Sequence, residues 1–321
     1  PTVQSTLQIN VRNTGAKGDG QTDDTAAIQE AITQVSKAGG GTVLVPDGVY
    51  RIDAVTSLRM ANNVVLRLQS PNAQLKALPN AAARSAVVDF EGVSSAAIIG
   101  GTVIGERDVH RGSEGEHGMG VRMTASNNIV IDSVTAINAW GDGAYVGGNS
   151  KIVKFCNFTA SDNRRQGLSI TWAEDVTVIN SVFKNTGGTS PQSGIDIEPN
   201  KGDTIRLVKI TGSRFENNQG YGILVARIGA AVGSVIEKVT IENNTFSGNV
   251  TGGIAVTYAT AEVVQNDGVT IQNNRLLETG RNAITLTTNT RNNKVINNTI
   301  TGGGILDLGT DNVTTPNTIS R

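Results

Sequence analysis

The sequence predicts an all-β solenoid, in which short strands are stacked in repeated coils. The first observation is a tetrad of glycine, apolar, variable and apolar residues that recurs at intervals of 23 to 31 residues. The second is a short alternating run with asparagines inside the repeat unit. The third is a composition of 38 glycines and only 4% aromatic residues, which suits a thin core repeated many times. The tetrads begin at Gly120, Gly143, Gly167, Gly194, Gly222 and Gly253, and Ala283 continues the series.

The N-terminal segment predicts one helix. Residues 22–25, TDDT, carry the residue types that begin helices, and AAIQEAITQVSK after them has helical apolar spacing until the glycines at 39–41. An open solenoid end exposes apolar core and unpaired strand edges. We therefore expect this helix to cap the first coil, and Asp19, Asp23 and Asp24 to be structural.

The repeats together predict a single β-helix domain over residues 1–321. The N-terminal cap takes about residues 1–55 and the coils take about 56–321. No single coil of this kind can bury its own apolar face, but a stack of coils can.

The alternating runs contain a recurrent asparagine, which predicts a ladder of side-chain amides in one turn. Each run is expected to be one β element, and each amide is expected to bond to the amide of the next coil. The four asparagines at the shared position are Asn180, Asn243, Asn273 and Asn297.

Charge and cysteine content exclude several classes of function. A net charge of −1 gives no reason to expect nucleic acid or an anionic membrane as partner. The apolar runs are too short for a membrane-spanning helix. One cysteine and two histidines make a thiolate or imidazole metal cage improbable. We expect no metal site and no cofactor.

Two segments resemble a known family. The stretches NTGAKGDGQTDDTAAIQEAI (13–32) and GGGTVLVPDGVYRI (39–52), followed by the coils, are similar to right-handed parallel β-helix proteins of the pectate-lyase superfamily. The opening module resembles those of phage tailspike depolymerases and mannuronan epimerases. The resemblance implies a right-handed parallel β-helix that binds a polysaccharide along one strand face. Because this superfamily hosts hydrolases, lyases, epimerases and binding spikes, it does not fix the chemistry.

Polygalacturonase-like hydrolases of this superfamily carry acidic motifs on three successive coils. Residues 141–143, GDG, resemble the first motif, with Asp142 as the matching acid. The next coils have RQG at 165–167 and QSG at 192–194, where that family has paired aspartates and a histidine motif. The Asp-Pro-His-Glu signature of the epimerases is also absent. Two of the three hydrolase motifs therefore fail.

The stretch SGIDIEPN, residues 193–200, predicts a pair of catalytic carboxylates. In a strand, Ile195 and Ile197 would point inward, and Asp196 and Glu198 would stand outward about 7 Å apart. That separation is near the range of about 6.5–9.5 Å for inverting glycosidases. We expect Asp196 and Glu198 to be the catalytic pair, with Asp142 as a third acid. Structural pairing with arginines, calcium binding or a solvated surface are the alternatives.

The variable positions of the tetrads form one outward column when the coils are stacked. Polar and aromatic members lie in the early coils, which predicts a binding face there. Arginines pair with uronate carboxylates and tryptophan rings stack on sugars. The expected substrate contacts are Arg164, Arg165, Gln166, Trp140, Trp172, Tyr145 and Arg227, with Glu116 and His117 from the charged stretch 105–120 acting as a lid or rim. His110, in the same stretch, and His117 could serve as a general base, although a histidine in a loop is more often solvated, and this is what we expect.

The leading hypothesis is a glycoside hydrolase that depolymerises an acidic polysaccharide. A lyase or C5-epimerase acting on uronates is the first alternative, with arginine as a base and Ca²⁺ as a possible helper. A non-catalytic glycan-binding spike is the second. The resemblance implies a secreted protein or part of a virion tail, and it allows a homotrimer. A lone β-helix of this length should also be stable as a monomer.

Overall fold

The protein is described by a computed structural model that covers residues 7–227, 233–259, 268–277 and 282–320. Its described strands form three parallel sheets of 11, 12 and 10 strands, which we name sheets A, B and C, and one α-helix accompanies them. The predicted all-β parallel β-helix is therefore confirmed. No helix among these residues is long and apolar enough to cross a membrane.

The chain divides into two compact units. The first unit contains residues 1–145 and 150–164, and the second contains residues 146–149 and 165–321. The expectation of a single domain stays a prediction.

The first unit holds the helix and the early strands of each sheet. It contains two short 3-10 helices, at Val11–Thr14 and Arg107–Val109, and the helix α1 (Thr25–Lys37). Its strands are β1 (Gln8–Asn10), β2 (Asp19–Asp23), β3 (Gly41–Val45), β4 (Gly48–Ile52), β5 (Leu58–Arg59), β6 (Val64–Leu68), β7 (Ala73–Ala77), β8 (Arg84–Glu91), β9 (Ser94–Ile99), β10 (Thr102–Ile104), β11 (His117–Thr124), β12 (Asn127–Asp132), β13 (Thr135–Ile137), β14 (Asp142–Gly147, shared with the second unit), β15 (Ser150–Cys156) and β16 (Thr159–Ser161).

The second unit repeats three strands in each coil. Sheet A takes β18, β21, β24, β27 and β30, sheet B takes β19, β22, β25, β28, β31 and β33, and sheet C takes β17, β20, β23, β26, β29 and β32. Their bounds are β17 (Gln166–Ile170), β18 (Ala173–Ile179), β19 (Val182–Lys184), β20 (Ile195–Ile197), β21 (Thr204–Thr211), β22 (Arg214–Glu216), β23 (Tyr221–Arg227), β24 (Val235–Glu242), β25 (Thr245–Ser247), β26 (Gly252–Tyr258), β27 (Val269–Gln272), β28 (Arg275–Leu277), β29 (Ile284–Leu286), β30 (Lys294–Ile296), β31 (Thr299–Thr301), β32 (Ile305–Asp307) and β33 (Thr318–Ser320).

The predicted second element of each repeat is two strands and not one. The run at 239–246, for example, is β24 followed by β25, with a corner at Asn243. Asn243 has a φ of +57°, in the left-handed region that asparagine tolerates better than most residues. The left-handed residue redirects the chain, so that one alternating run supplies strands to two sheets.

The asparagine ladder exists, but the prediction placed it one residue too early. Asn180, Asn243, Asn273 and Asn297 all have φ between +50° and +57° and make the corners. The ladder is formed by the next position. Asn244 Nδ2 donates to Asn274 Oδ1 at 3.1 Å, Asn274 Nδ2 to Asn298 Oδ1 at 3.0 Å, and Asn298 Nδ2 to Asn317 Oδ1 at 3.0 Å. The corner turns its own side chain outward and brings the following one into the core.

The core of the second unit is a thin column of stacked side chains. Phe183, Phe215 and Phe246 are fully buried, and their ring centroids are 5.2 and 4.7 Å apart in near-parallel stacks. Aliphatic residues of all three sheets fill the remaining interior. One aromatic ring per coil is enough to fill such a column, and this explains the low aromatic content.

The predicted helix is confirmed as α1. Ile28, Ala31, Ile32 and Val35 form its fully buried face, which packs against strands of the first coils, including β3, β5 and β6. That the helix seals the end of the solenoid stays a prediction. Asp24, 1% exposed, accepts hydrogen bonds from the backbone N–H groups of Lys17 and Gly18, in agreement with a structural role.

Candidate functional site

Sheet C aligns the variable tetrad positions in one row, as the sequence predicts. In the second unit Ser169 pairs with Asp196, Asp196 with Leu224, Leu224 with Ala255, and Ala255 with Thr285. The flanking residues Ile195 and Ile197 are fully buried. Since side chains alternate along a strand, Asp196 lies on the face opposite to these two isoleucines.

Asp196 is buried, whereas the sequence suggests an exposed carboxylate. Its residue exposure is 2%, and the Nε2 of Gln166, itself 0% exposed, donates to Asp196 Oδ2 at 3.0 Å. Gln166 Oε1 accepts from the backbone N–H of Ser193 at 2.8 Å. The Gln166 amide is therefore fixed from both ends and fixes the carboxylate in turn. Gln166, one of the expected substrate contacts, thus lies beside Asp196.

Two further polar residues are close to Asp196 in the sequence. Glu198 follows β20 directly, is half-buried, and donates its backbone N–H to the carbonyl of Ile170 at 3.0 Å. The Ser193 hydroxyl is fully buried and has no hydrogen-bond partner among the described residues. A buried hydroxyl of this kind is a place where water or a ligand group can bind.

The other predicted residues of the second unit differ in exposure. Trp172 is 38% exposed and Arg165 is half-buried. Arg227 is only 3% exposed; its Nε donates to Ser234 Oγ at 3.3 Å, and its Cζ lies 5.6 Å from the ring centroid of Tyr258. Burial raises the pKa of Tyr258 to about 12. Arg227 is thus an internal group, and its contact with substrate stays a prediction.

In the first unit, two of the expected substrate contacts, Trp140 and Arg164, are in contact with each other. The Arg164 guanidinium lies 3.7 Å from the ring centroid of Trp140, and its Nη1 donates to the carbonyls of Gly115 and Trp140 at 3.0 and 3.1 Å. Burial lowers the pKa of Arg164 below its ordinary value. Asp142, at the start of β14, is fully buried, and Tyr145 is half-buried.

Hydrogen bonds hold the charged stretch 105–120 against other residues of the first unit. Trp140 Nε1 donates to the carbonyl of Glu114 at 3.2 Å, and Arg107 Nη1 donates to the carbonyl of Asp162 at 2.6 Å. Glu116 and His117 are exposed near its end. These contacts agree with a rim, while movement as a lid stays a prediction.

His110 is buried, and the sequence prediction of a solvated side chain is wrong. Its side chain is 1% exposed, its ring stacks on Trp140 at a centroid distance of 4.0 Å, and its Nδ1 lies 3.6 Å from Glu106 Oε1. The same oxygen accepts from Ser85 Oγ at 3.3 Å. The loop position of His110 gives no sign of this packing, because Trp140, on which its ring stacks, lies 30 residues further along the chain.

The described residues contain no group of three or more histidine, cysteine, aspartate or glutamate side chains arranged to hold a metal ion. Two clusters therefore carry the polar chemistry: Asp196 with Gln166 and Ser193 in the second unit, and Trp140 with Arg164 and His110 in the first. That they belong to one site stays a prediction.

Two family models match the chain. Residues 8–89 match the model described as rhamnogalacturonase A/epimerase, pectate lyase-like, and residues 94–232 match the right-handed beta helix region. The uncharacterized protein YclG of Bacillus subtilis is 30% identical over 261 residues, which are 68% of this chain and 44% of YclG. Alginate lyase 7 of Azotobacter vinelandii is 61% identical over 46 residues, 14% of this chain and 5% of that protein. The chain thus spans less than half the length of these relatives.

Solved structures of the same fold cover nearly the whole chain. The A-module of the mannuronan C-5 epimerase AlgE4 of Azotobacter vinelandii has a TM-score of 0.59 at 19% identity, covering 97% of this chain and 100% of that one. The Streptococcus pneumoniae surface adhesin PfbA has a TM-score of 0.67 at 18% identity, and the match covers 98% of this chain and 99% of the adhesin chain. A Thermotoga maritima exopolygalacturonase has a TM-score of 0.59 at 14% identity, and the match covers 93% of this chain and 87% of the exopolygalacturonase chain. At these identities the similarity shows the fold.

Proposed function

We propose that this chain, a right-handed parallel β-helix protein with a pectate lyase-like N-terminal part, is a glycoside hydrolase that depolymerises an acidic polysaccharide. The observation that carries the proposal is Asp196, a carboxylate 2% exposed on the outward side of sheet C, held by a fixed amide and followed by the half-buried Glu198. Buried carboxyl groups held in one orientation are typical of catalytic sites and rare on structural surfaces.

Asp196 and Glu198 supply the acid and the base in this proposal. One carboxylic acid protonates the glycosidic oxygen as the bond breaks, and the other carboxylate removes a proton from the attacking water. Residues two positions apart in an extended chain are separated by about 7 Å. Because this separation is near the range of about 6.5–9.5 Å that leaves room for the attacking water, we propose inversion at the anomeric carbon. The hydrogen bond from Gln166 keeps Asp196 Oδ2 in place during the reaction. Asp142 is the proposed third acid.

Sugar binding is proposed for the aromatic and cationic side chains. Trp172 offers an exposed ring for stacking on a pyranose. Arg164 and Arg165 are proposed to pair with carboxylates of an acidic sugar. Tyr145, Glu116 and His117, which are exposed or half-buried, complete the proposed substrate contacts, and Arg227 is included as a supporting group.

A lyase or C5-epimerase is the second candidate, and one observation favours it. Burial lowers the pKa of Arg164 below its ordinary value, so the neutral form that a base requires is reached more easily than in an exposed arginine. Alginate lyase 7 matches a short part of the chain at 61% identity. In this reaction Arg164, in its neutral form, would remove the proton beside a uronate carboxylate, and Arg165 would neutralise that carboxylate.

A depolymerisation screen separates these candidates. The wild type, the variant Asp196→Asn/Glu198→Gln and the control Asp175→Asn/Glu237→Gln on sheet A are incubated with bacterial, plant and algal polysaccharides. New reducing ends without ultraviolet absorbance, lost in the first variant and kept in the control, support a hydrolase. Absorbance of a new double bond supports a lyase, and altered sugar composition without shortening supports an epimerase.

The fold of the adhesin PfbA makes non-catalytic binding a further outcome. It would appear as saturable polysaccharide binding with no new ends, no absorbance and no change of composition. We propose that the protein meets its polysaccharide outside the cell or on a virion tail, as a monomer or a trimer. Light scattering of the purified chain measures the oligomeric state.

A further inference from the structure

A pocket of about 550 Å³ lies in the first unit beside α1 and β5, and none of its residues belongs to the candidate site described above. Its volume falls within the range of about 300–1,000 Å³ that is usual for small-molecule sites. Carboxylate, amide, hydroxyl and guanidinium groups line it together with a larger apolar surface. The lining residues are Asp23, Thr25, Ala26, Gln29, Asp53, Thr56, Ser57 and Arg59.

Hydrogen bonds hold this wall in place. Gln29 Nε2 donates to the carbonyl of Arg59 at 3.0 Å, and Gln29 Oε1 accepts from the N–H of Arg59 at 2.8 Å, so that the helix clamps β5. Thr25 Oγ1 donates to Asp23 Oδ1 at 2.5 Å and accepts from the N–H of Asp53 at 2.7 Å. The pocket is therefore built before any ligand arrives, which reduces the entropy lost on binding.

Two charged groups in the pocket have hydrogen-bonding capacity that no described residue uses. Arg59 pairs with Asp89 across the sheet, but both oxygens of Asp89 accept from Arg122, at 3.0 and 2.6 Å. The exposed Arg59 guanidinium makes no hydrogen bond or ion pair with another described residue. On the helix side, both hydrogen bonds to Asp23 use Oδ1, and its Oδ2 receives none from the described residues.

The chemistry of the pocket points to one class of ligand. Asp23 and Asp53 accept hydrogen bonds, Arg59 donates them, and Thr56 offers a hydroxyl oxygen. Two carboxylates against one guanidinium leave a net negative wall, which disfavours an acidic sugar. A neutral sugar ring carries hydroxyls that both donate to carboxylates and accept from a guanidinium. We propose that this pocket is an accessory binding site for a neutral hexopyranose unit.

This proposal goes beyond the catalytic one and does not depend on it. The pocket would bind a neutral sugar in a chain that cleaves nothing, and a hydrolase could lack the pocket. The two proposals therefore fail separately, because binding here is measured with small sugars and without turnover.

The test is a titration of the full chain with sugars, followed by amide NMR shifts. The probes are neutral disaccharides (cellobiose, maltose, lactose and mannobiose) and, for comparison, glucuronate and galacturonate. Arg59→Ala removes the donor, and Ala26→Trp fills the pocket from an exposed position of the first helical turn. Arg67→Ala removes an equally exposed arginine on sheet A and is the matched control.

We expect at least one neutral disaccharide to bind saturably and to shift amides of α1 and β5. Arg59→Ala is expected to weaken binding by about tenfold or more, since hydrogen bonds to charged groups are among the strong ones. Ala26→Trp is expected to abolish binding, and Arg67→Ala to change it less than about twofold. Tighter binding of the uronates, unchanged binding in both pocket variants, or no saturable binding of any neutral disaccharide would overturn the proposal.

Discussion

Removal of one ladder asparagine is the sharpest perturbation of the fold. Asn274 is 1% exposed and its side chain makes four hydrogen bonds. Its Oδ1 accepts from the N–H and the Nδ2 of Asn244, and its Nδ2 donates to the carbonyl of Ile241 and to Asn298 Oδ1. The change Asn274→Ala removes all four bonds and leaves buried donors and acceptors without partners.

The expected loss of stability follows from those four bonds. A net contribution of about 1 kcal/mol for each bond gives a decrease of about 4 kcal/mol in the free energy of unfolding. The matched control is Asn273→Gly, one residue earlier. Asn273 is exposed at a φ of +56°, a conformation that glycine adopts freely, so we expect a change within about 0.5 kcal/mol.

Urea unfolding followed by far-ultraviolet circular dichroism measures both variants. Equal slopes with a lower midpoint for Asn274→Ala would mean that stability has fallen without a change in the surface exposed on unfolding. If Asn274→Ala lost no more stability than Asn273→Gly, the hydrogen-bonded ladder would not be what stabilises this turn.

Three further predictions follow from single contacts. Phe215→Leu, between two stacked rings 5.2 and 4.7 Å away, should lower the unfolding free energy by about 1–3 kcal/mol in the same assay, and no loss would contradict the stacked core. Arg122→Met should lower the unfolding free energy by about 2 kcal/mol, because it leaves the 4% exposed Asp89 without its bidentate partner. An unfolding free energy equal to that of the control Arg67→Met would contradict this prediction. Hydrogen bonds from Thr22 and Gln21 lower the pKa of Asp19 to about 2. The ionised Asp19 therefore stabilises the folded state fully above the unfolded pKa of about 3.9, and this stabilisation is lost as the pH falls through about 2. Carboxyl ¹³C NMR titration measures this pKa, and a value near 3.9 would refute the assigned hydrogen bonds.

Much of the fold could be predicted because the repeating residue pattern of the coils is visible in the sequence. The glycine-led tetrads became the strands of sheet C, and their variable positions pair in register from Ser169 to Thr285. The three-strand coil was missed, since one alternating run feeds two sheets through a left-handed asparagine. Periodicity locates such a corner only to within a residue, and this is why the ladder was placed at Asn273 and not Asn274.

The candidate site was only partly predictable. The proximity of Gln166 to Asp196 follows from stacking coils of known spacing, whereas the stacking of Arg164 on Trp140 was not predicted. Burial did not follow, because an outward position on a strand is exposed only where no neighbouring segment covers it. Asp196 and Arg227 are 2% and 3% exposed. The residues next to them in the sequence do not reveal that these two positions are buried.

The most direct measurement of the central claim is the initial rate of polysaccharide cleavage by Asp196→Asn, on whichever polymer the wild type shortens, beside Asp175→Asn. The account predicts a loss of at least about 100-fold in kcat for Asp196→Asn, with unchanged circular dichroism and a control rate near that of the wild type. A rate for Asp196→Asn within about twofold of the wild type would contradict the assignment of the catalytic carboxylates.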